Sequence, residues 1–168
     1  VHQDEENLLF QVDTETGTIV RDAFGEGYDY LKIDLSGLSD LPYNNVKDMA
    51  VDPVTGTFYI LAGTEAFDSA LATLDFDAAD LTTGLIPARL VSIPTSTQDG
   101  APILDVEGMS FTPDGTLYVI STNNSNSEAN YDMLWRLDPG SGEATPITRL
   151  SDDVDAVDYE AIACNSAG

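Results

Sequence analysis

Apolar and polar residues alternate in short runs along most of this chain, bounded by Asp, Pro, Thr and Gly. That is the period-two pattern of half-buried strands separated by tight turns. One passage occurs twice in full. Asn45-Val46-Lys47-Asp48-Met49-Ala50-Val51-Asp52-Pro53-Val54-Thr55-Gly56-Thr57-Phe58-Tyr59-Ile60 is repeated as Asp105-Val106-Glu107-Gly108-Met109-Ser110-Phe111-Thr112-Pro113-Asp114-Gly115-Thr116-Leu117-Tyr118-Val119-Ile120. A third copy begins at Asp158-Tyr159-Glu160-Ala161-Ile162-Ala163-Cys164. In each full copy Pro53 or Pro113 presets the entry to a turn, and Gly56 or Gly115 supplies the positive φ that closes a hairpin.

A second passage also recurs. Leu9-Phe10-Gln11-Val12-Asp13 running to Gly17 is echoed by Leu134-Trp135-Arg136-Leu137-Asp138 running to Gly142, and more loosely by Leu74-Asp75-Phe76-Asp77 running to Gly84. Each reads as a strand ending on an Asp whose carboxylate accepts backbone N–H groups across the next turn, so Asp13, Asp77 and Asp138 are expected turn-formers. This register sets Trp135 beside Phe10 and Leu74 as packing residues, and Met49 and Met109 are expected in the core.

Hairpin plus hairpin makes a four-stranded unit, once over residues 46–93 and again over residues 105–150. Residues 157–164 supply the inner strand of a third unit and residues 8–22 its outer strands. Tyr28 to Leu35 alternates as an extra strand, and residues 123–132 form a polar loop. A repeat of about 50–60 residues is that of long propeller blades. The expected fold class is therefore all-β, a single domain over residues 1–168 of propeller-like four-stranded blades, with an incomplete ring and a split blade formed by both termini. Propellers close with about 4–8 blades. An open set leaves apolar faces of several hundred Å² that some partner must cover, on the order of what monomers avoid. Further copies of the chain, in a ring, tandem array or filament, are the expected partner, with continuation of the polypeptide as the alternative.

Charge changes this picture. Thirty Asp and Glu face six Lys and Arg in 168 residues, a net charge of −24. A field of this sign repels nucleic-acid backbones and anionic membranes, so neither is an expected partner. No apolar run is long enough to span a membrane, so no membrane insertion is expected. The lone Cys164 has no cationic neighbour in sequence and reads as a small buried apolar residue. The chain opens on Val rather than Met, which reads as a processed protein or a segment and fits secretion. Asn123-Asn124-Ser125 is a sequon, making Asn123 a candidate glycan site; the expected location is extracellular or at the cell surface.

Candidate chemistry lies at the start of the inner strands. Asp105 and Glu107, and Asp158 and Glu160, are carboxylate pairs two residues apart, which alternation places on one face. Close carboxylates call for a cation, so these four residues are candidate Ca²⁺ ligands; the competing reading is a solvated acidic entrance. The first unit has Asn45 and Lys47 at these positions, and Lys47 offers a salt bridge instead.

The motif around Glu107-Gly108-Met109-Ser110 and Asp114-Gly115-Thr116-Leu117-Tyr118 resembles the blade signature of secreted bacterial β-propellers. It is similar to that of the esterase-like phytase-domain group and, more distantly, of gluconolactonase-like propellers. In the latter the Glu of a Glu-Gly pair belongs to a divalent-metal site, which the resemblance would place on Glu107. Here Glu160 is followed by Ala and Lys47 by Asp, so the remaining ligands of such a site have no counterpart. Other signatures fail: the acidic clusters around Asp75 and Asp152 lack an EF-hand's Gly and closing Glu, and His2 has no ligand spacing. The open set of blades with complementary ends makes the expected function an extracellular binding or structural assembly module. The alternative is a cation-dependent, phytase-like or lactonase-like ester hydrolase.

Overall fold

A computed structural model describes residues 7–39, 41–66, 68–122, 132–150, 159 and 161–165. Over these residues the chain is all-β, with strands β1 (Leu8–Phe10), β2 (Tyr30–Asp34), β3 (Asn45–Val51), β4 (Phe58–Gly63), β5 (Ser69–Leu74), β6 (Leu85–Ser92), β7 (Thr95–Ser96), β8 (Val106–Phe111), β9 (Leu117–Thr122), β10 (Asp132–Leu137) and β11 (Glu143–Arg149). A 3-10 turn, Phe76–Ala78, follows β5.

The strands form two sheets, ordered β1-β2-β6-β5-β4-β3 and β7-β11-β10-β9-β8. Within them β3 to β6 and β8 to β11 are two antiparallel meanders of the same design. An added strand runs parallel to the outer strand of each: β2 beside β6 and β7 beside β11. The expected strand within residues 28–35 is β2. The six-stranded sheet curls into a half-barrel, so that Asn7, just ahead of β1, reaches the opposite edge and bonds to Asn44 and Val46.

One turn design builds most of the hairpins. In Asp13 to Gly17, Asp52 to Gly56, Asp80 to Gly84 and Asp138 to Gly142, the Gly N–H donates to the Asp carbonyl oxygen at 2.7, 2.8, 2.8 and 2.9 Å. The Asp Oδ1 accepts the N–H two residues on, from Glu15, Val54, Thr82 and Gly140. Each closing glycine has φ between 71 and 78°, where a side chain would be strained. In three of these turns the bonds favour the ionised carboxylate. Asp13 is held below its ordinary range first by the Thr16 N–H, Asp52 by the Thr55 hydroxyl and Asp80 by the Thr82 N–H.

The third copy of this turn differs from its sequence reading. Asp80, rather than Asp77, forms it, because β5 ends earlier, at Leu74, and Asp75 caps the 3-10 turn by accepting the Ala78 N–H. The true counterpart of Asp138 is therefore Asp75. That sets Trp135 level with Phe10 and Ala72, and no longer with Leu74.

Two apolar cores result. The first lies inside the curl, where Leu31, Ile33, Leu35, Leu38 and Tyr43 pack on Ile60, Ala62, Ala70, Ala72, Leu74, Ile86 and Ala88. The second lies between the sheets: Leu61 and Leu71 from the first meet Val106, Met109, Phe111, Leu117, Val119, Trp135 and Leu137 from the second. Of the two methionines expected inside, Met109 is 2% exposed and belongs to this core, whereas Met49 is 40% exposed. Met109 has the first meander in front of it. Met49, at the same place in its own meander, has no inner strand in front of it among the described residues.

Candidate functional site

The two inner strands, β3 and β8, lie side by side, and each carries a bulge at the same point of the repeat. Pairing of β3 with β4 shifts between Val46 and Asp48, and pairing of β8 with β9 between Val106 and Gly108. The bulged residues are thus Lys47 and Glu107. A bulge takes one residue out of the ladder and re-aims its side chain, and here it turns the two toward each other. Lys47 Nζ lies 2.9 Å from Glu107 Oε1 and 3.8 Å from Asp105 Oδ1. Asp105 is buried and holds φ 53°, a left-handed conformation that Asp tolerates better than most residues. Room for the lysine stem comes from Gly63, where an added Cβ would lie 3.1 Å from Lys47 Cε.

The Lys47 ammonium therefore stands where the sequence suggested a metal ion for Asp105 and Glu107. It ties the first sheet to the second and offsets the repulsion between two partly buried carboxylates. Asp158, Glu160 and Asn123 lie outside the described residues. Among the described residues, no group of three His, Cys, Asp or Glu could hold a metal ion. No helix among them is long and apolar enough to cross a membrane.

Around this ion bridge runs a set of contacts that the sequence reading missed. Asn7, Ser69 and Asp132 head β1, β5 and β10, and each stands six residues before one of the equivalent aspartates Asp13, Asp75 and Asp138. Each side chain accepts a backbone N–H from a residue at the same position of the repeat. Asn7 Oδ1 accepts from Val46 at 2.8 Å, Ser69 Oγ from Val106 at 2.9 Å and Asp132 Oδ2 from Tyr159 at 2.8 Å. Val46, Val106 and Tyr159 are themselves one position of the repeat. Ser69 thus pins the first strand of the second meander to the third strand of the first, and Asn7 and Asp132 make the same contact to Val46 and Tyr159.

Further bonds reinforce these joints. Asp48 Oδ2 accepts the Met109 N–H at 2.7 Å, and Ser110 Oγ accepts the Cys164 N–H at 2.9 Å. A polar residue two places before a strand alternation was the only sequence signal for the pins. Three different side chains fill the role, and this hid it. No family model, curated protein or solved structure matches this chain.

Proposed function

We propose that the chain is a structural assembly module of propeller-like four-stranded blades, in which residues 8–22 and 157–164 are parts of blades completed by neighbouring copies. The observation that supports this reading most is the threefold pin. Asn7 acts toward Val46 as Ser69 does toward Val106, so β1 behaves as the third strand of a preceding blade. Tyr159 is held by Asp132 as Val106 is by Ser69, so the segment at residue 159 behaves as the first strand of a following blade. Two full meanders therefore sit between two partial units.

An extracellular or surface setting and a glycan at Asn123 accompany this reading on sequence grounds. The rival, a cation-dependent phytase-like or lactonase-like hydrolase using Ca²⁺ at Asp105, Glu107, Asp158 and Glu160, draws no support from the described acids, which share an ammonium. Sedimentation velocity and electron microscopy test the proposal. Species well above 18.0 kDa that grow with protein concentration and with salt are expected. A single 18.0 kDa species under all conditions overturns it.

A further inference from the structure

Lys47, Asp105 and Glu107 hold more chemistry than an ion bridge requires. A primary amine, its side chain 26% exposed, meets two carboxylates whose side chains are 10% and 14% exposed. Nζ lies within hydrogen-bond reach of Glu107 Oε1 at 2.9 Å and 3.8 Å from Asp105 Oδ1. The Asp105 carboxyl carbon is one bond beyond Oδ1, so it lies no more than about 5 Å from the nitrogen. All three residues are held from the backbone. Bulges fix Lys47 and Glu107, and Asp105 sits at φ 53° beside the buried Val106, whose N–H is tied to Ser69 Oγ at 2.9 Å. Gly63 leaves the lysine stem its place.

We propose that Lys47 and Asp105 join in a side-chain amide (isopeptide) bond after folding, with Glu107 as the catalytic acid–base. The ion bridge is the state in which the chain folds, and the bond succeeds it. Glu107 Oε1 takes a proton from the Lys47 ammonium, and the neutral amine attacks Asp105 Cγ. The Nζ–Cγ bond forms and one Cγ–O bond breaks. Of the three hydrogens on the ammonium, one stays on the amide nitrogen. The other two leave with an Asp105 oxygen as water, one of them carried there by Glu107, which ends as it began. No further reactant enters.

Two effects favour here a condensation that water disfavours. Burial penalises the charged amine and carboxylate, whereas the amide and the released water carry no charge. Fixed juxtaposition of the two groups acts as an effective concentration of about 10⁵–10⁸ M once the lysine end rotates to an attack distance of about 3–3.5 Å. Asp105 is the residue joined because its short side chain on a fixed backbone leaves few rotamers to search, while Glu107 already stands in the proton-accepting position. The bond runs from β3 to the residue just ahead of β8 and so links the two sheets covalently. Both residues belong to one chain, which makes the bond independent of assembly between copies.

Intact-mass spectrometry of the purified whole chain is the first test, since it needs no variant that could misfold. A mass one water below that of the sequence is expected, with Lys47→Arg and Asp105→Ala chains at full mass. Tryptic mapping then places the loss. The link protects the Lys47-Asp48 peptide bond, so residues 33–89 are expected uncut and joined to residues 90–136. Glu107→Gln is expected to leave an unlinked fraction at least tenfold larger, while a cooperative thermal transition shows that this variant folds. A wild-type chain at full mass overturns the proposal. So does a water lost instead within Asp99-Gly100 or Asp114-Gly115, which can close on their own backbone. A link mapped to Glu107 overturns the assignment of roles, and linking of Glu107→Gln to the wild-type extent removes Glu107 from the catalysis.

Discussion

The two joints of the molecule share a register but are filled differently. Where β1 and β2 meet the first meander, the receiving face of that meander sets four alanines, Ala62, Ala70, Ala72 and Ala88, among Ile60, Leu74 and Ile86, and further long apolar side chains come from the other side, from Leu31, Ile33, Leu35, Leu38 and Tyr43. Where the meanders meet, bulk sits on the receiving face itself, in Met109, Phe111 and Trp135. Ala72 and Trp135 occupy the same position. One backbone joint therefore accepts opposite distributions of volume, provided the total fills the gap at the density of a protein interior.

The comparison is broken most severely at Trp135. Trp135→Ala is expected to cost about 3–5 kcal/mol, because its ring sits in the second core with its indole N–H bonded to Ser121 Oγ at 2.8 Å; urea unfolding measures the loss. Next comes the ion bridge. Lys47→Met leaves Asp105 and Glu107 facing each other and is expected to cost about 1.5–3 kcal/mol, by the same measurement. Adding Glu107→Gln to that variant is expected to recover part of the loss.

Smaller changes sharpen the comparison. Ala72→Leu overfills the alanine-lined joint and is expected to cost about 1–3 kcal/mol in urea unfolding, while Leu137→Met in the other joint costs under about 1.5 kcal/mol. Ser69→Ala removes the acceptor of a buried N–H and is expected to cost about 1–3 kcal/mol, with faster amide exchange at Val106. The smallest effect is acid sensitivity. Asp13, Asp52 and Asp80 have folded pKa values below their unfolded ones, so their contribution is present above about pH 4 and is lost as pH falls through the folded values. Melting temperature followed from pH 6 to pH 2 should decline in that window, and less so in Asp13→Asn.

Much of this architecture was legible because tight turns are local. Gly17, Gly56 and Gly142 each lie four residues after an Asp, and that spacing between apolar runs helped to locate the hairpins. Asp77 was mistaken for Asp80 because a 3-10 turn between strand and hairpin keeps the composition of the motif while moving its register. The candidate site was half legible. The acids were found, and Lys47 was recognised as a salt-bridge partner. The bulges that aim Lys47 and Glu107 at each other, however, arise from pairing with β4 and β9, which no local pattern encodes. The Asn7, Ser69 and Asp132 pins escaped for the same reason: each joins residues 27–39 positions apart.

The added parallel strands have a directional meaning. β2 lies along the outer edge of β6, and β7 along that of β11, at Glu143 and Ala144. Gly142 permits the second approach, since a Cβ there would come within 2.6 Å of the Ile93 carbonyl oxygen. An outer edge with its N–H and C=O groups engaged is a poor template for lateral sheet extension. The sideways hydrogen-bonded accretion that leads to amyloid is thereby blocked along Leu85 to Pro87 of β6 and at Glu143 and Ala144 of β11.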